Sequence, residues 1–126
     1  MKREEVDRFE KTIVQLEALH SEVSVLSKKS PNDGLNIFKL GFVNSVLQGA
    51  NKLLGETYKP FPDFSAFEQD DLPSNSDVAF IISQYINCME KLRSDSIFYK
   101  DYTWQWRTED GETIIKTTQP KKLDRR

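Results

Sequence analysis

The chain has 126 residues, of which 37% are apolar and 30% charged, enough for one modest hydrophobic core and too short for two ordinary domains. Its formal net charge is −2, so no global basic field disposes it toward nucleic acid or an anionic membrane. A single cysteine, Cys88, excludes an intrachain disulfide, and no stretch approaches the roughly 18 apolar residues of a membrane-spanning helix. With no apolar segment behind the opening Met1-Lys2-Arg3-Glu4-Glu5, the expectation is a small soluble cytoplasmic protein.

Residues 3–29 are predicted to form an amphipathic helix. Val6, Phe9, Ile13, Leu16, Leu19, Val23 and Leu26 recur at steps of three and four and build one apolar stripe. The acids and bases between them, Glu10 among them, are assigned to water. Ser30-Pro31-Asn32-Asp33-Gly34 breaks this helix and supplies a turn. Residues 36–55 form a second, more apolar helix, with the wide hydrophobic coverage of an element that has neighbours on two sides. Gly41, Ser45 and Gly49 share one face of it. Glycine inside a helix costs up to about 1 kcal/mol against alanine, so the strip is read as a place of close helix packing. A homodimer seam is the alternative. Asn44, Gln48 and Asn51 are read as facing water, or else as lining a pocket in a ligand-binding bundle.

Residues 57–75 contain Pro60, Pro62 and Pro73, which rule out a long regular element. Tyr58, Phe61, Phe64 and Phe67 recur every three residues. The loop is expected to fold back over the bundle as a lid, with one helical turn near residues 65–70. It belongs to a distinct charge block: residues 60–90 hold six acids and no lysine or arginine. Residues 76–93 form a third helix behind the N-cap run Ser74-Asn75-Ser76-Asp77.

Beyond residue 96 the period shortens. Phe98, Tyr102, Trp104 and Trp106 favour alternation, Asp110-Gly111 is a turn dipeptide, and residues 113–118 are rich in β-branched side chains. This predicts a β-hairpin of residues 98–108 and 112–118, its aromatic face on the helices or on a partner. Continuation as helix to about residue 107 is the alternative. Residues 120–126 read as a basic tail beyond a single helical domain of residues 1–119. The fold class expected is mainly α: a three- to four-helix antiparallel bundle with a small C-terminal β-hairpin.

The motifs for catalysis are missing. The five glycines match neither the P-loop nor the dinucleotide fingerprint. His20 and Cys88 are the only histidine and cysteine, so a zinc site would need two carboxylates as well. A Cys88–His20 dyad requires the first and third helices to present both side chains to one cleft. Glu68, Asp70 and Asp71 do not follow calcium-loop spacing. No enzyme activity, cofactor or metal is therefore expected.

The function expected is a non-catalytic interaction or regulatory module: an adaptor, inhibitor, immunity or antitoxin-type accessory protein that binds a larger protein, a basic one in the concrete form of this expectation. Its candidate contact residues are Phe61, Phe64, Phe67, Glu68, Asp70, Asp71, Trp104 and Trp106, because binding energy concentrates on aromatic anchors inside a polar rim. One alternative is a homo-oligomeric structural or ligand-binding helical protein. Another is single-strand nucleic-acid binding through the Trp- and Arg-rich segment, which mixes stacking rings with cations. The net charge disfavours nucleic acid.

Overall fold

A computed structural model describes residues 1–111, 113–119 and 121. Three helices carry most of the chain: α1 (Arg3–Lys29), α2 (Ile37–Tyr58) and α3 (Asn75–Ser96). Three short strands follow, β1 (Ile97–Lys100), β2 (Thr103–Trp106) and β3 (Lys116–Thr117), paired antiparallel in the order β1-β2-β3. The fold is thus mainly helical with a small sheet, and among the described residues the helix count is three, since α3 passes straight into β1 at Ile97.

α2 and α3 each start where the sequence offers a side-chain partner for free backbone N–H groups. Asn36 accepts from the Lys39 backbone N–H at 2.8 Å, and Ser74 accepts from that of Asp77 at 3.1 Å. At the other end of α2, Gly55 adopts φ 62° and ψ −170°. That conformation is nearly restricted to glycine, so the last turn of α2 is kinked away from the helix before it.

The core lies where the three apolar stripes meet. Phe9, Ile13, Leu16 and Val23 of α1 are buried with Leu40, Val43, Leu47, Ala50 and Leu54 of α2 and with Val78, Ile82, Tyr85 and Met89 of α3. Fully burying each large apolar side chain contributes about 1.5–3 kcal/mol. Trp106 from β2 closes one end of this core, with its ring 4.9 Å from Phe9 in an edge-to-face contact.

The helix directions correct the expected antiparallel bundle. The Asn75 side chain at the start of α3 donates to the Ser30 carbonyl just beyond α1 at 2.9 Å, while Arg93 near the end of α3 lies beside Glu10 of α1. These two helices are antiparallel. Between α2 and α3 the order is the opposite. The Leu35 backbone N–H donates to the Pro73 carbonyl at 3.0 Å at the two starts, Tyr85 donates to Asn51 at 2.7 Å midway, and Tyr58 donates to Asp95 at 2.8 Å at the two ends. α2 and α3 therefore run parallel, because the segment between them travels back along the length of α2.

The sheet also departs from the expected hairpin. The predicted strand 98–108 folds on itself at Asp101 and Tyr102, whose φ angles of 51° and 63° make a tight left-handed turn of the kind that matches strand twist. Ile97–Lys100 then pairs with Thr103–Trp106. The expected second pairing survives as Trp104 opposite Thr117 and Gln105 opposite Lys116, with the Trp106 N–H donating to the Ile115 carbonyl at 2.9 Å. Residues 113–115 are not strand, and residue 112 lies outside the described residues. So do residues 120 and 122–126, most of the predicted basic tail; Lys121 donates to Glu17 of α1 at 3.0 Å.

Candidate interaction surfaces

The returning segment 59–74 is held by side chains that look like ordinary helix surface in the sequence. Asn44 donates to the Phe67 carbonyl at 2.9 Å and accepts from the Phe67 N–H at 2.8 Å. One amide thus satisfies both backbone groups of a loop residue, as a neighbouring strand would. Two turns on, Asn51 donates to the Ser65 carbonyl at 2.9 Å and accepts from the buried Tyr85 hydroxyl. Asn44 and Asn51 accordingly face the loop rather than water, and only Gln48 of that row is exposed. Phe64 and Phe67 sit half-buried beneath the loop, 5.1 Å apart and edge to face, with Phe64 6.4 Å from Tyr85. The segment is a lid, and its expected helical turn is the single 3-10 turn Gln69–Asp71.

Outside the lid the surface has a different character. Phe80 of α3 is 55% exposed and lies 6.5 Å from Phe61 of the loop. Asp63, Glu68, Asp70, Asp71 and Asp77 are all exposed on the same stretch of chain, and none forms an ion pair among the described residues. The sixth acid of the block, Glu90, is buried beside Arg93. The loop and α3 therefore present an aromatic pair, Phe61 and Phe80, with five unpaired carboxylates in the chain between the two rings. Phe80 lies about half a turn from the buried Val78, Ile82, Tyr85 and Met89, so the same periodicity that marks the core stripe could have marked it as exposed.

The sheet is fastened to the helices through a polar cluster that periodicity did not reveal. Glu10 accepts from the Trp106 indole N–H at 2.9 Å and from the Thr117 hydroxyl at 3.0 Å. Arg93 donates to the Thr118 hydroxyl at 2.6 Å, approaches Glu90 at 3.4 Å and stacks 5.5 Å from the centre of the Phe9 ring. Trp106 is 1% exposed, so it belongs to the core and offers nothing to a partner. Trp104 is half-buried and lies 5.3 Å from the exposed Tyr99. Tyr102, expected on the aromatic face, is 93% exposed at the turn.

Among the described residues, nothing packs closely over Gly41, Ser45 and Gly49. A Cβ added at Gly41 or Gly49 would meet no atom within 4 Å. The same side of α2 carries Phe38 at 76% exposure and Phe42 at 54%, their rings 5.0 Å apart and edge to face.

His20 makes no hydrogen bond with Cys88 or with a carboxylate among the described residues. Burial pushes the Cys88 thiol pKa up, which disfavours the nucleophilic thiolate. No group of three or more His, Cys, Asp or Glu side chains could hold a metal ion among the described residues. Among the described residues, four clefts of about 260–360 Å³ are open to solvent, and neither His20 nor Cys88 lines any of them. Among the described residues, no helix is long and apolar enough to cross a membrane. No family model, curated protein or solved structure matches the chain.

Proposed function

We propose that this chain is a non-catalytic interaction module that docks a basic protein partner on the surface formed by its returning loop and α3. The observation that carries this reading is the half-exposed Phe80, backed by Phe61, in a segment whose five exposed acids have no lysine or arginine among them. An aromatic anchor supplies desolvated contact area. The unpaired carboxylates supply long-range attraction and orientation. In this reading the half-buried Phe64 and Phe67 brace the loop, and the exposed Glu68, Asp70 and Asp71 of the same segment supply its charge.

The test is affinity capture from the source organism with the wild-type chain and two surface variants, Phe80→Ala and Asp70→Lys/Asp71→Lys. Both variants alter exposed side chains, so both should remain folded by circular dichroism. A protein retained by the wild-type chain and lost from both variants supports the reading. Equal retention by all three chains would sink it.

A further inference from the structure

The outward face of α2 is built from two rings and two hollows. Phe38 and Phe42 stand proud of the helix, while Ser45 and Gly49 follow on the same side one and two turns later. Phe38 and Gly49 are equally far from the midpoint between Val43 and Asn44, and so are Phe42 and Ser45. A second α2 laid antiparallel across that midpoint would set Phe38 of each copy at the height of Gly49 of the other, and Phe42 at the height of Ser45. A patch that complements itself in this way is what a two-fold interface requires.

Charge favours the same arrangement. From Asn36 to Asn51 the helix has one charged residue, Lys39, which is committed to Glu22 of α1 at 2.7 Å. The next, Lys52, is exposed and has no ion pair among the described residues. At the opposite end of α2 the exposed Asp33 is equally without one. Antiparallel pairing brings Lys52 of each copy to the Asp33 end of the other.

We infer that a second copy of this chain covers the α2 face, forming a two-fold dimer in which Phe38 and Phe42 seat over Gly49 and Ser45. The two rings and the small residues beside them offer on the order of 400 Å² per copy, below the size of a standard stable interface. The dimer is therefore a weak one that forms at high protein concentration. It leaves the loop and α3 surface free, so it stands or falls independently of the proposed docking.

Sedimentation equilibrium across about 10–500 μM, a range that brackets weak association, tests it. The wild-type chain should shift from monomer to dimer over this range. Phe42→Glu should weaken association at least tenfold. Gly49→Ala is the sharper probe, because its effects on fold and dimer have opposite signs. In the monomer the added methyl meets open space and replaces a helical glycine, so the melting temperature should rise. In the dimer it obstructs the seat of Phe38, so association should weaken. Lys52→Glu should weaken the dimer about fivefold, the scale of one surface ion pair, and Asp33→Lys added to it should restore the wild-type value. A wild-type chain that is monomeric throughout overturns the inference. So does a dimer that survives Phe42→Glu, or a face that takes up a different protein while the chain stays monomeric.

Discussion

Asn51 shows how much of this fold rests on single polar side chains. Its amide accepts from Tyr85, whose ring is fully buried, and donates to the loop at Ser65. Asn51→Ala should lower stability by about 1–3 kcal/mol, because the Tyr85 hydroxyl loses its acceptor inside the core. Gln48→Ala, on the exposed side of the same row, should change it by less than about 0.5 kcal/mol. Urea unfolding of both variants checks the contrast. The sequence could not separate these residues. An asparagine on a helix has the same letter whether it meets water or a loop, and the loop's position depends on contacts formed only after the helices pack. Glu10 is the parallel case. It sits beside Phe9 in a charged surface pattern, yet Trp106 and Thr117 both donate to it from about 100 residues away.

The three helices were legible because their apolar residues keep a period of three to four over long stretches. Their termini were nearly so, since Ser30-Pro31, Asn36 and Ser74 carry stop and cap chemistry. What periodicity could not convey was direction: α2 and α3 are parallel because Asn44 and Asn51 hold the returning loop along α2. The sheet was less legible. Its tightest turn uses Asp101 and Tyr102 instead of the glycine or asparagine that would have signalled it. A tyrosine at φ 63° is strained, and its exposed ring gives nothing back. Tyr102→Gly should therefore stabilise the protein by about 1 kcal/mol, seen as a higher urea midpoint with unchanged slope. A lower midpoint would show that the ring makes a contact the turn needs.

For the molecule as a whole, the buried Tyr85 sets an alkaline limit. Burial pushes its hydroxyl pKa above the ordinary 10.0, with the bond to Asn51 opposing this and nearby Cys88 adding to it. The folded state thus favours the neutral phenol. Stability is fully present below the unfolded value and is lost as pH rises through the folded one. Chemical denaturation at stepped pH should show a plateau that falls only above about pH 10, with Tyr85 phenolate appearing as the chain unfolds. Tyr85→Phe should flatten that fall and lower the plateau, since Asn51 then loses its donor.

In the proposed docking the acidic block acts on this same scale, because a field from unpaired carboxylates would steer a basic partner before any contact forms. The most direct test is the association rate with the captured partner, measured by stopped flow across ionic strength. The wild-type rate should drop steeply as salt is added, while Asp70→Lys/Asp71→Lys should associate about tenfold more slowly at low salt and respond weakly to it. If the variant matches the wild-type rate at every salt concentration, the loop and α3 surface is not where the partner docks.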